Sequence, residues 1–274
     1  MTLHDRVAVL TGAGGGIGRA LALSLARRGC HLALTDTNER ALNMTAQMAG
    51  ELGVRTSQHL LDVASRASVA AFPGEVVPVH GRVDLLINNA GAVVGGGCHP
   101  VRVVDLEWLM AVDLECAVTV TRAFLPLLRT RKQASVVNIS SLFGFIAPSG
   151  EFACSASNFV VREYFTSWRR GPADPPLKVP VNQPDGIAPS IARNARGAPA
   201  VLQEIVQRIC ADMEKLLDMP PQIAAEFVMR GVGAERGRML VDLDAILASC
   251  LERIMPVSYW RLPENSNPRQ RDEQ

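Results

Sequence analysis

The stretch TGAGGGIG, Thr11 to Gly18, decides the fold. Before it stands Val7-Ala-Val-Leu-Thr11, a continuous apolar run that reads as a buried strand. After it, Ile17, Leu21 and Leu25 are spaced to share one face of a helix. Arg27 and Arg28 fall in the last turn of that helix, and Gly29 is a natural stop. Glycines between a strand and a helix start leave backbone N–H groups free at the positive end of the helix, where phosphate oxygens can be held. Gly12, Gly16 and Gly18 would give the tight turn, the close approach of a pyrophosphate and the helix–strand packing, with Ile17 between them in the cradle. The spacing is Gly-x-x-x-Gly-x-Gly, not the commoner Gly-x-Gly-x-x-Gly. A generic flexible turn is the competing reading, and the flanking strand and helix argue against it.

Working outward, Leu32 to Thr35 reads as a second strand ending at Asp36. A carboxylate there, roughly 20 residues past the loop, can bond the adenine ribose hydroxyls and would repel a 2′-phosphate, which favours NAD over NADP. Arg40 is a counter-signal, but a solvated helix residue is its simpler reading. Leu42 to Leu52 is helical, and His59 to Leu61 is a short strand ending at Asp62 and Val63. The next helix, Ser65 to His80, contains Pro73-Gly74 and Pro78. An interior proline costs about 3 kcal/mol, so a broken or kinked element is expected. Asp84 to Asn88 is a strand, and Leu106 to Arg131 is a long helical pattern with a kink or an end expected at Pro126. Ser135 to Ser140 is the fifth strand, followed by a helix over Ala156 to Arg170.

The stretch GPADPPLKVPVNQP, Gly171 to Pro184, places Pro180 where a central strand should run, and there it removes a ladder donor. Val201, Ile205, Ile209, Met213 and Leu216 make a helical stripe, and Pro221 suits a first helical position. Met239 to Val241 is a last strand and Asp244 to Ile254 a last helix. Strands alternating with helices imply an α/β fold with a Rossmann-like, doubly wound parallel sheet. No repeat or linker divides it, so a single domain over 1–262 is expected, with a polar, disordered tail over 263–274.

Composition excludes several functions. A net charge of +1 over 274 residues gives no footprint for nucleic acid. No window reaches the ~18 continuous apolar residues of a membrane span, and Val7 to Leu10 is too short for a signal-peptide core. The six cysteines contain no Cys-x-x-Cys, which fits buried, reduced thiols and a cytoplasmic location. The five histidines show no ligand spacing, so no metal is expected.

TGAGGGIG, LDV at 61–63, NNAG at 88–91 and NISS at 138–141 stand in order and at matching separations. Together they resemble the short-chain dehydrogenase/reductase family over roughly Asp5 to Leu262. The resemblance implies an NAD(P)-dependent oxidoreductase acting on an alcohol or carbonyl. It implies that Asp62 and Val63 touch the adenine, that Asn89 and Ala90 line the cofactor cleft, and that Gly91 lets the backbone pass close. The family's catalytic set is a serine, a Tyr-x-x-x-Lys motif thirteen residues on, and an asparagine on the preceding long helix. Serine orients the carbonyl, tyrosine moves the proton, lysine bonds the ribose and lowers the tyrosine pKa, and asparagine holds the lysine through water.

Counting thirteen from Ser141 lands on Cys154, and four further on Asn158; the asparagine position is Asp113. Three catalytic positions are therefore vacated and only Ser141 remains. A thiol one bond beyond Cβ stops well short of where a tyrosine hydroxyl would reach. Losing a positioned general acid costs ~10²–10⁴ in rate. Cys154 as a nucleophile would need a nearby base or cation, and a small packing residue is its alternative reading. Ser141 is either catalytic or a mere strand-end residue. Pro184-Asp185 stands where the family has Pro-Gly, and the carboxamide-binding threonine falls near Pro189 or Ser190.

The resemblance also implies a substrate lid, about 187–230, with an apolar lining from Ile191, Leu202, Ile205 and Ile209, and a homodimer or homotetramer built on the two long helices. Two readings follow: an impaired oxidoreductase, or an inactive dinucleotide-binding pseudoenzyme with a binding or interaction role.

Overall fold

The computed structural model describes residues 2–94, 101–147, 152–170, 177–178, 181–183, 219–234, 238–240 and 243–258. The strands are β1 (Val7–Thr11), β2 (His31–Asp36), β3 (Thr56–Leu60), β4 (Leu85–Asn88), β5 (Ala134–Ile139), β6 (Leu177–Lys178), β7 (Val181–Gln183) and β8 (Arg238–Leu240). The helices are α1 (Gly16–Arg27), α2 (Glu39–Gly50), α3 (Arg66–His80), α4 (Val103–Met110), α5 (Cys116–Arg129), α6 (Phe152–Arg170), α7 (Pro221–Gly233) and α8 (Leu243–Ile254).

Every residue of β1 is buried, as a continuous apolar run must be when helices cover both faces of its sheet. The sheet is parallel, in the order β3-β2-β1-β4-β5-β7-β8, with β6 paired to β5. On one face Leu21 and Leu25 of α1, Leu42 of α2 and Ala225 and Val228 of α7 close the core. On the other, Phe72 of α3, Phe124 of α5 and Phe165 of α6 do so, with the Phe72 and Phe124 rings edge to face at 5.2 Å. The winding reverses between β1 and β4, and ligands of such sheets bind beyond the strand ends at that switch point. Both the glycine loop and Asn88-Asn89 lie there.

Three expectations are corrected. Helix α3 runs unbroken through Pro73 and Pro78. It is held by Ser65, whose hydroxyl accepts from the N–H of Ser68, by Gly81 at φ 72°, and by the buried row Val69, Phe72, Val76 and His80. The prolines sit off that row, with Pro78 exposed, so freed carbonyls can meet water. Pro126 lies inside α5 and ends nothing. The irregularity of the long helix falls instead at a π turn, Ala111–Glu115, which centres on Asp113. Helix α6 starts at Phe152, four residues before the expected Ala156, so Cys154 is helical.

On either side of Pro180, which lies outside the described residues, β6 and β7 both pair with β5. Pro221 does take the first helical position of α7. The apolar stripe over 201–216, the lid up to 218, the Pro184-Asp185 and Pro189-Ser190 positions and the tail over 263–274 lie outside the described residues.

Candidate functional site

The glycine loop is built as its composition requires. Gly12 and Gly16 have φ of 67° and 52°, a region that disfavours side chains. At Gly18 a Cβ would stand 1.9 Å from the carbonyl oxygen of Gly12, so this position admits no side chain while the turn is closed. The first intrahelical bond of α1 runs from the N–H of Arg19 to the carbonyl of Gly15. The N–H groups of Gly16, Ile17 and Gly18 precede it and form the helix's natural anion cradle. A Cβ on Gly15 would meet no atom within 4 Å, so the mouth of the cradle is open.

Thr11, Asn89 and Arg19 are among the side chains that hold the loop. The Thr11 hydroxyl accepts the N–H groups of Asn89 and Ala90, both at 3.0 Å. The Asn89 amide donates back to the carbonyls of Thr11 and Gly12, each at 3.0 Å. Asn89 and Ala90 are thereby fastened against the loop. Arg19 donates from Nε to the Thr45 hydroxyl at 2.9 Å and from Nη2 to the carbonyls of Gly14 and Ala41. Sequence reasoning missed Arg19, because an arginine on an amphipathic helix ordinarily reads as solvated.

Asp36 ends β2 beside this loop. Its Oδ2 accepts the N–H of Gly14 at 2.7 Å and its Oδ1 that of Asn38 at 2.9 Å. Asp62 caps its own turn through the N–H of Ala64 at 2.9 Å, and Val63 is buried next to it.

The other wall is formed by β5 and α6. Ser141 follows β5, and its hydroxyl accepts the N–H of Phe143 at 3.2 Å. A Cβ on Gly144 would lie 3.1 Å from the backbone oxygen of Asn158, so the Ser141 turn packs directly on α6. Asn158 does not reach out of the helix. Its amide donates to the Cys154 carbonyl at 2.9 Å and approaches the Cys154 sulfur at 3.6 Å, while its Oδ1 accepts the Ser140 hydroxyl at 3.0 Å. Cys154 is buried. One turn on, Arg162 stacks its guanidinium 4.7 Å from the ring centres of Phe145 and Phe159, so the next cation along this face is committed elsewhere.

Asp113 joins the two walls. Its Oδ1 accepts the N–H of Ala92 at 3.0 Å and its Oδ2 the Ser157 hydroxyl at 2.6 Å. A Cβ on Gly91 would come 3.5 Å from Oδ1. Burial pushes the carboxyl up to about 6, against the pull of Ser157 and Ala92. Ser157 and Ser140 were not anticipated as site residues. Small hydroxyl residues carry no distinguishing signal until their partners are known.

The structure thus brings Gly12, Gly16, Ile17, Gly18, Asp36, Asn89 and Ala90 together at the turn between β1 and α1, and Ser141, Cys154, Asn158 and Asp113 around α6. The arrangement can hold a diphosphate and a ribose. Around Asn158 and Cys154 it offers amide, hydroxyl and buried thiol.

The family described as short chain dehydrogenase matches residues 6–199. A relative from Mycobacterium tuberculosis, named as the oxidoreductase SadH, is 38% identical over 264 residues, 95% of each chain. The crystal structure of a short-chain dehydrogenase/reductase from Burkholderia phymatum in complex with NAD has a TM-score of 0.86 at 24% identity, covering 98% of both chains. A metagenomic short-chain oxidoreductase in complex with NADP has a TM-score of 0.70 at 26% identity, covering 88% of this chain and 98% of that one. Among the described residues no helix is long and apolar enough to cross a membrane.

Proposed function

Because this chain belongs to the short-chain dehydrogenase family, we propose that it grips a nicotinamide dinucleotide and that its hydride-transfer chemistry, at an alcohol or carbonyl carbon, is impaired. The N–H groups of Gly16, Ile17 and Gly18 would hold the pyrophosphate, and Asp36 the adenine ribose. Asp62 and Val63 would flank the adenine. The negative charge of Asp36 beside Gly14 supports NAD over NADP, since a 2′-phosphate there would meet a carboxylate. Bound in the cleft, the nicotinamide would supply or accept a hydride.

What this chain's own residues do next is limited. Ser141 can orient a carbonyl oxygen. Proton transfer would need a donor beside it, and Cys154 is buried and short. The ribose would need a cation, and Asn158 is neutral. The observation that carries this reading is the closure of Asn158 onto Cys154 and Ser140, which leaves its side chain fully engaged in its own wall. That closure also favours a second reading, in which the protein only binds the dinucleotide. Pairing of two copies through α5 and α6 is supported by the half-exposed Val160 and Tyr164 on the outer face of α6, beside Phe159 and Trp168.

The test is a fluorescence titration of the purified protein with NADH and with NADPH, followed by turnover on a panel of ketones and alcohols. Saturable NADH binding, weaker NADPH binding and slow or absent turnover support the proposal. Turnover at ordinary enzymatic rates that persists after Ser141→Ala would overturn it, and so would failure to bind either dinucleotide.

A further inference from the structure

At the opposite edge of the sheet, the N-terminal ends of β1, β4 and β5 converge on one carboxylate. Asp84 precedes β4 and its side chain has 0% exposure. Oδ1 accepts from Arg6 Nη1 at 3.0 Å and from Arg82 Nη2. Oδ2 accepts from Arg82 Nε at 2.7 Å and from the N–H of Val7 at 3.1 Å. An ionised carboxylate offers about four acceptor positions, so Asp84 is saturated. Burial pushes its carboxyl up, but Arg82, the Val7 N–H and Arg6 outweigh it and hold Asp84 below its ordinary value.

A third guanidinium comes to the same point and finds no place. Arg131 lies just before β5, with Nε 3.8 Å from Asp84 Oδ1, beyond hydrogen-bond reach. That nitrogen is buried and has no hydrogen-bond partner among the described residues. Three positive charges therefore face one negative charge. Among the described residues no second carboxylate pairs with Arg6, Arg82 or Arg131. Lys132, next in the chain, is exposed and adds to the excess. The side chains of Arg6, Arg82 and Arg131 are 22%, 33% and 30% exposed, so their remaining donors can be reached from solvent.

An unpaired buried donor is costly, the more so when it is charged. Guanidinium groups answer that cost best with an oxyanion, through paired N–H bonds. We propose that Arg131, with the spare donors of Arg6 and Arg82, forms a binding site for a phosphate group at the N-terminal edge of the sheet. A strand of about five residues spans roughly 17 Å, so this site is separate from the dinucleotide cradle at the other ends of the strands. The phosphate can be free or carried as a monoester on a larger molecule; the recognising chemistry is the same.

The experiment is calorimetric titration of the full chain with sodium phosphate and, separately, with phenyl phosphate, against sodium chloride at matched ionic strength. Thermal unfolding is followed in each. Saturable binding of either phosphate, without a chloride effect, is expected. Tighter inorganic phosphate points to the free ion, and tighter phenyl phosphate to a monoester. Arg131→Met and Arg131→Gln should weaken that binding at least tenfold and leave NADH binding unchanged. Because Arg131 Nε makes no hydrogen bond and meets Asp84 only at 3.8 Å, both variants should unfold no earlier than the parent in phosphate-free buffer. The proposal is overturned if phosphate binds both variants as it binds the parent, or if NADH competes the phosphate off, which would place it in the glycine loop. A Tm several degrees lower for both variants without phosphate would also overturn it, by showing Arg131 to be a structural partner of Asp84.

Discussion

The Asn158 amide donates to the carbonyl of Cys154, 2.9 Å away on its own helix, while its oxygen accepts the hydroxyl of Ser140 at 3.0 Å. Cys154 and Asn158, which we propose stand in the place of the family's proton-handling pair, are thus bound to each other, and Asn158 to the strand end. If Asn158 is structural, Asn158→Ala should destabilise the fold by about 0.5–1.5 kcal/mol, the net value of a hydrogen bond, since the Ser140 hydroxyl keeps the backbone carbonyl of residue 158 at 3.4 Å. Denaturant unfolding measures it. Any residual turnover should change less than stability does.

Gly18 tests the loop. A methyl group at Gly18 would overlap the Gly12 carbonyl at 1.9 Å, so Gly18→Ala must open the turn or unseat α1. Expected are a loss of about 1–3 kcal/mol and abolished NADH binding. NADH fluorescence and thermal unfolding check both, and wild-type affinity in this variant would mean that the loop is not the cradle.

The proposed preference for NAD rests on Asp36. Asp36→Asn retains an acceptor for the Gly14 N–H but removes the charge. Because hydrogen bonds to charged groups contribute about 1.5–3 kcal/mol, NADH affinity should fall roughly tenfold or more. NADPH affinity should hold or rise, and parallel titrations with the two dinucleotides decide.

Buried His80 and partly buried Asp113 give opposing pH dependences in one window. Asp113 is raised from 3.8 to about 6, chiefly by burial. Its stabilisation is full below about pH 4 and is lost as pH rises through about 6. His80 is lowered from 6.5 to about 4 by burial, with Arg55, His31 and His59 adding to it. Its Nε2 meets the Ser57 hydroxyl at 2.9 Å, and Ser57 in turn meets His59, which bonds Glu75. As a base with a depressed pKa, His80 costs stability below about pH 4, and that cost vanishes as pH rises through 6.5. Each effect is about 3 kcal/mol at most, so between pH 4 and 6.5 they largely cancel. Asp113→Asn should unmask a stability that rises with pH over this range, and His80→Gln one that falls. Urea unfolding at half-unit pH steps reads the slopes, and unchanged slopes in both variants would refute the assignment.

The parts of the molecule legible in the sequence are those fixed by strong local physics. A continuous apolar run marks β1, glycines that tolerate no side chain mark the loop, and an acidic residue at a strand end marks Asp36. Cys154, Asn158 and Asp113 are reached only by counting along the catalytic motif that the family resemblance implies. Less visible was how tertiary packing overrides local cost. Pro73 and Pro78 stay inside α3 because four buried side chains on one row fix that helix. The π turn at Asp113 has no compositional mark, whereas Pro126, which has one, does not end α5. The roles of Arg19, Ser140 and Ser157 depend on partners 26, 18 and 44 residues away, which no local pattern encodes.

The central claim is that the dinucleotide grip persists while the residues that should move the proton have been exchanged for ones that cannot. Its most direct measurement is the rate of ketone reduction by the NADH-loaded protein before and after the paired substitution Cys154→Tyr with Asn158→Lys. The account predicts that the pair raises the rate by ~10²-fold or more, the scale of a restored general acid, with NADH affinity equal or better. A parent protein that already turns over briskly, and that the paired substitution leaves unchanged or slows, would contradict it.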